Sequence, residues 1–168
     1  MTKSTLEILI GDDLFADPMV SRSVKRNLES LRQAIAGYEI NLTYANTPEE
    51  VLHESKTQKY HTIVTDLDYG ATGRVGTEGF EIIEEIANTS FTNKPYIILC
   101  TSQDTHKEAI QKKIDEHKMD VVIGPNSFNK FTALKDYLIE YYSQKRAPAE
   151  GEKPLQPEGG EKNERKNS

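Results

Sequence analysis

Five short apolar runs, each followed by a stretch of helical periodicity, limit this chain to very few architectures. The first run, LEILIG at 6–11, is rich in β-branched residues and stops at Gly11-Asp12-Asp13. In the segment that follows, Asp17 can cap a helix, Pro18 suits its first turn and Gly37 suits its exit. Between them Val24, Leu28, Leu31 and Ile35 step by four, three and four, which marks one helical face. YEINLTYA alternates Tyr38, Ile40, Leu42 and Tyr44 as a half-buried strand does, and NTPEEVLHESK repeats the start signal with Thr47 as cap, Pro48 first and Glu49-Glu50 in the first turn.

The remaining pairs follow the same order. The run HTIVTD ends at Asp66, and beyond a glycine-rich loop Phe80, Ile83 and Ile86 or Ala87 mark a helix. PYIILC (95–100) leads through Thr101-Ser102 into a charged helix around EAIQKKIDEH. MDVVIG leads through Pro125 into a last helix with Phe131, Leu134, Leu138 and Tyr141 on one face. Alternation of this kind predicts an α/β fold, a doubly wound five-stranded parallel sheet with helices on both faces.

A chain of 168 residues, 36% hydrophobic and 29% charged, suits one domain with a substantial core. Its net charge of −6 argues against a nucleic-acid partner, which would want a basic face. Residues 146–168 balance five basic against five acidic side chains, so the whole excess belongs to residues 1–145. That last stretch has one leucine, three prolines and no aromatics, and is expected to be a disordered charged tail after a domain at 1–145. Cys100, inside YIILC, is expected to be a small buried hydrophobe. No apolar segment reaches the length of a membrane span, and MTKSTLEILIGDD lacks a signal-peptide layout. The expected setting is cytoplasmic, with no membrane partner.

In open α/β sheets the site lies beyond the carboxyl ends of the strands. Asp12 and Asp13 end the first strand, Asp66 the third and Thr101-Ser102 the fourth. Carboxylates converging there repel and raise one another's pKa, which a hard cation with oxygen ligands relieves. Mg²⁺ is the expected cofactor, with the Thr101 hydroxyl placed to bond an oxygen of a phosphoryl group. The histidines, His53, His61, His106 and His117, have no metal-site spacing and are expected at the surface.

The series ILIGDD, IVTDLD, EGFEII, ILCTS and VVIGP resembles the receiver domain of bacterial response regulators, a flavodoxin-like (βα)5 fold, over about residues 5–145. The resemblance implies that Asp66 accepts a phosphoryl group from a histidine kinase or phosphotransfer protein. It also implies that Asp12, Asp13, Asp66 and the backbone carbonyl of Asp68 hold Mg²⁺. Thr101 would turn toward the phosphoryl group and couple it to the face formed by the last strand and its flanking helices. The implied role is that of a stand-alone signalling domain, not an enzyme, acting by contact with a downstream protein that the sequence does not identify.

Three departures from the family stand out. Gly124 precedes Pro125 where the family has Lys-Pro, and the lost charge-assisted hydrogen bond is worth about 1.5–3 kcal/mol. Val121 stands where an aromatic usually swings with the threonine. The loop after Asp66 is longer than usual; Gly70, Gly73, Gly76 and Gly79 are expected to make it mobile, and its Arg74 is a candidate for the missing cation.

These departures keep a second possibility open, a phosphorylation-independent adaptor of the same fold. DLDYGAT is also similar to the Asp-x-Asp signature of haloacid-dehalogenase-type phosphatases, but that family begins with this strand, which is third here. The receiver account needs residues 12, 13 and 66 to gather around one cation with Thr101 facing them. A lysine permanently bridging them would defeat it.

Overall fold

In the computed structural model, which describes residues 2–70, 77–102 and 106–144, the predicted alternation is present. β1 (Ser4–Gly11), β2 (Tyr38–Ala45), β3 (Thr62–Thr65), β4 (Tyr96–Thr101) and β5 (Asp120–Ile123) form one sheet in the order β2-β1-β3-β4-β5. Every pairing is parallel. The helices are α1 (Pro18–Glu29), α2 (Leu31–Ala34), α3 (Pro48–Ser55), α4 (Glu78–Asn88), α5 (Lys107–His117) and α6 (Asn129–Gln144), with a 3-10 turn at Asp13–Ala16. The tail from 146 onward and Arg74 lie outside the described residues.

Start signals in the sequence act as expected. The Asp17 carboxylate accepts from the Met19 and Val20 amides ahead of Pro18, and Thr47 accepts from the Glu50 amide ahead of Pro48. Gly37 exits with φ of 90°, in the left-handed region. The helix expected between Asp17 and Gly37 breaks at Ser30, whose hydroxyl bonds the Asn27 carbonyl and competes with the helical ladder. Its apolar stripe survives the break, and Val24, Leu28, Leu31 and Ile35 are all buried.

Alternating strand residues divide the interior into two cores. Ile8, Ile10, Val64, Ile98 and Cys100 face α1, α2 and α6, while Leu9, Ile63, Ile97 and Leu99 face α3, α4 and α5. On α6 the buried residue near the end is Tyr142 rather than the expected Tyr141, because the stripe runs in steps of four from Leu134 and Leu138. The Tyr142 ring meets Tyr38 edge-on and its hydroxyl bonds Thr62, so the α6 C-terminal end is anchored in the sheet.

Three of the histidines, His61, His106 and His117, are half-buried, and two of them have specific partners. His61 accepts the Glu7 amide at Nδ1 (3.0 Å), and burial pushes its pKa down. His117 packs against Glu84 beside Lys113, between α4 and α5.

Gly79, expected to loosen the loop, instead lies in the first turn of α4. Its amide bonds the Leu67 carbonyl (2.9 Å), and a Cβ there would stand 2.2 Å from the Asp66 carbonyl oxygen and 2.7 Å from the Leu67 Cα. The helix therefore seats directly on the backbone that carries Asp66. Replacing this glycine gains helix propensity of up to about 1 kcal/mol, yet it forces rigid backbone apart, a type of overpacking that costs about 1–3 kcal/mol. Gly79→Ala is expected to lower the urea midpoint at unchanged m-value; an equal or higher midpoint would refute the close-packing account.

Candidate functional site: three carboxylates and a lysine

Asp12 and Asp66 meet because their strands are neighbours. The Asp66 amide donates to the Gly11 carbonyl (3.0 Å), which continues the β1–β3 ladder one step past Thr65, and the Asp12 amide donates to the Ala45 carbonyl (2.9 Å). Each carboxylate is fixed locally. Asp12 caps the following 3-10 turn by accepting from the Leu14 amide (2.9 Å), and Asp66 Oδ1 accepts from its neighbour Leu67 (2.8 Å). Asp12 is 1% exposed and Asp66 7%. Asp13 is half-buried, and one carboxylate oxygen from each of Asp12, Asp13 and Asp66 lies within 4.8 Å of the others.

Thr101 is buried at the end of β4. The Thr65–Leu99 register sets it level with Leu67, and its carbonyl accepts from the Gly124 amide (3.0 Å). Asp68 is half-buried on the same rim, where a Cβ on Gly70 would stand 3.6 Å from Asp68 Oδ1 and 3.8 Å from Asp13 Oδ2. Between Asp68 and Gly70, Tyr69 turns into the second core and bonds Thr65 Oγ1 through its hydroxyl (2.9 Å). An amide donates from Tyr69 to the buried Glu78 (3.4 Å). This start of the loop is thus held down.

The expected cation deficit is filled by Lys130, a residue sequence reasoning passed over. It is 2% exposed, and its Nζ stands 2.5 Å from Asp12 Oδ2 and 3.0 Å from Asp66 Oδ2. The turn before α6 delivers it: Asn126 Oδ1 accepts from the Phe128 and Asn129 amides, and the Asn126 carbonyl accepts from Lys130 itself (3.0 Å). Pro125 is exposed in that turn. A Cβ on Gly124 would lie 2.1 Å from the Lys130 Cα, so no side chain fits at 124 while α6 sits here. One sequence signal could have found the lysine: it falls four residues before Leu134 on the stripe that continues to Leu138 and Tyr142.

One lysine against three carboxylates leaves the cluster with an excess of two negative charges. Burial, with Asp66 beside it, pushes Asp12 up to about 6 despite Lys130. Asp13 is likewise pushed up to about 6, by burial and then by Asp12. Asp66 is raised by burial against the pull of Lys130. Burial draws the Lys130 pKa down, but Asp66 and Asp12 outweigh it and hold the ammonium charged. The donor set is all oxygen and over-charged, which fits Mg²⁺, a hard cation that takes one or two carboxylates plus water or phosphate.

No protein-family model matches the sequence, and no curated protein matches it. The fold, a parallel sheet in the order 2-1-3-4-5 with the acidic cluster at the carboxyl ends of its strands, is the flavodoxin-like fold of response-regulator receiver domains. A response regulator from Hahella chejuensis superposes with a TM-score of 0.57 at 18% identity, over 83% of this chain and 96% of that one. Response regulator TrrA from Thermotoga maritima, solved with Mg²⁺ and BeF, matches with a TM-score of 0.54 at 24% identity, over 80% and 97% of the two chains. A de novo designed Rossmann 2x3 protein also matches, with a TM-score of 0.56 at 14% identity over 83% and 94%. Shared fold alone therefore does not assign a role, and the site must do so.

The unfolded chain releases carboxyl protons near 3.8, whereas folded Asp12 and Asp13 hold theirs to about 6. The folded state binds more protons between those values, so this cluster's contribution to stability falls as pH rises from about 4 to about 6 and stays lost above. Asp13→Asn is expected to stabilise the metal-free protein at pH 7 and to have little effect at pH 4. Mg²⁺ is expected to raise the melting temperature of the wild type at pH 7 and to do so less in the variant. Thermal melts at the two pH values, with and without Mg²⁺, check both; a variant that gains nothing at pH 7 would show that the charges are not strained.

Proposed function

We propose that the protein is a receiver of a two-component phosphorelay, phosphorylated on Asp66 by a histidine kinase or phosphotransfer protein and signalling through contact with a downstream protein. The observation that supports this most is the convergence of Asp12, Asp13 and Asp66 with one buried lysine at the rim of a receiver-type sheet. Asp12, Asp13 and Asp66, with the carbonyl of Asp68, would hold Mg²⁺, which when bound supplies positive charge to the phosphoryl oxygens. Transfer of this kind needs positioning and charge neutralisation more than covalent chemistry from the protein.

In the transfer an Asp66 carboxylate oxygen attacks phosphorus and forms the acyl phosphate. The P–N bond of a phosphohistidine donor breaks, its electron pair leaves with the imidazole, and the imidazole nitrogen takes up a proton. Asp66 is oriented for this by the Leu67 amide on Oδ1, which leaves Oδ2, now on Lys130, as the reacting side. Thr101, level with Leu67 at the end of β4, would bond a phosphoryl oxygen. The fold and cluster do not require a catalytic cycle, and the role is that of a substrate of its kinase.

The Lys130 bridge is the specific observation that favours a second possibility, a phosphorylation-independent adaptor in which the ammonium occupies the site for good. Charge argues against permanence: a single ammonium leaves two carboxylates uncompensated, and a divalent ion would remove that excess. Incubation with acetyl phosphate and Mg²⁺ should give a hydroxylamine-labile mass increase in the wild type and none in Asp66→Asn or in EDTA. No labelling, together with no change in chemical shifts on beryllofluoride titration, would favour the adaptor.

A further inference from the structure

We infer that Lys130 is a positioning residue that ties the first turn of α6 to the acidic cluster, so that a divalent cation entering the cluster re-seats α6 directly. This rests on the Mg²⁺ site of the receiver account, but not on phosphoryl transfer itself. The physical case begins with geometry. The ammonium and a divalent ion draw on the same carboxylates, because Nζ holds Asp12 Oδ2 at 2.5 Å and Asp66 Oδ2 at 3.0 Å while one oxygen from each of Asp12, Asp13 and Asp66 lies within 4.8 Å of the others. Two cations at such range repel strongly even at an interior permittivity near 20. Binding one therefore means displacing the other from at least one carboxylate.

What moves with the lysine is set by where it is attached. Its Cα packs against Gly124 without room for a methyl group, its amide is bonded to the Asn126 carbonyl, and the Cys100 thiol lies 3.8 Å from its carbonyl. Phe131, the next residue, packs on Phe15 in the turn that follows Asp13 (centroids 5.7 Å). Gly124 in turn donates to the Thr101 carbonyl (3.0 Å). The side chain that answers the cation thus sits on the backbone joining β5 to α6, in contact with the end of β4. The same joining segment bears Phe128, 52% exposed, just after Ile123, 48% exposed. Among the described residues only Met19 is a further exposed large hydrophobic. A shift of this segment changes an apolar surface, and it does so without an aromatic rotamer at Val121.

The test combines calorimetric Mg²⁺ titration with hydrogen exchange on the full chain. In wild type, Mg²⁺ should speed exchange of the Lys130 and Phe131 amides while the amides of β1 and β3 stay protected. In Lys130→Met, Mg²⁺ should bind about ten- to a hundredfold tighter because the competing charge is gone. Those two amides should also exchange fast from the outset and not respond to the metal. Gly124→Ala, which keeps the lysine but presses on its Cα, should shift both readouts in the same direction and serves if Lys130→Met does not fold. Equal or weaker Mg²⁺ binding in a folded variant, or amides indifferent to Mg²⁺ in wild type, would overturn the inference. Intact competition with no labelling of Asp66 would defeat the phosphorelay proposal and leave this one standing; labelling without competition would do the reverse.

Discussion

Three carboxylates on the rim of one sheet repel one another when ionised, and here the cation beside them is the ammonium of Lys130. Isolated buried charge is among the costliest features a fold can contain, and removing one partner of a buried pair typically costs about 3–5 kcal/mol. Lys130 therefore links α6 to the ends of β1 and β3, beside the apolar contacts of Phe131, Leu134 and Leu138. It also leaves the cluster under-neutralised. Stability and cation affinity are set by the same shortfall.

The surrounding backbone is arranged to make that contact unavoidable. Parallel pairing of β1 with β3 places Asp12 and Asp66 side by side, and α4 seats against the Asp66–Leu67 backbone through Gly79. Across the site, α6 seats against β5 through Gly124. Each glycine marks a place where a helix approaches backbone too closely for any side chain. The core below is divided by the sheet, so that the acidic residues face the α6 side while Tyr69 plugs the loop into the other side.

Most of the fold was legible in the sequence because it is written in local signals. Asp17-Pro18 and Thr47-Pro48 begin helices, β-branched runs make strands, and the stripe through Val24, Leu28, Leu31 and Ile35 identifies a buried face even across the break at Ser30. The carboxylate half of the site was legible for the same reason, since strand ends can be placed from strand patterns. Lys130 was not, because a lysine in a helix ordinarily reads as solvated, and its burial depends on a contact between elements more than sixty residues apart. Gly124 read as the loss of a cation, whereas it is the clearance that lets a cation arrive from α6. His61 and His117 were misjudged for a similar reason: their partners, the Glu7 amide and Glu84, are distant in sequence.

The central claim is that one cluster serves two cations, Lys130 and a divalent metal, in turn. Anomalous scattering from a crystal soaked in Mn²⁺, which shares the preference of Mg²⁺ for oxygen ligands, tests it most directly. The account predicts a peak bonded to carboxylate oxygens of Asp12, Asp13 and Asp66, with the Lys130 ammonium withdrawn from Asp12. A cluster with no peak at saturating Mn²⁺, and Lys130 still bridging Asp12 and Asp66, would contradict it.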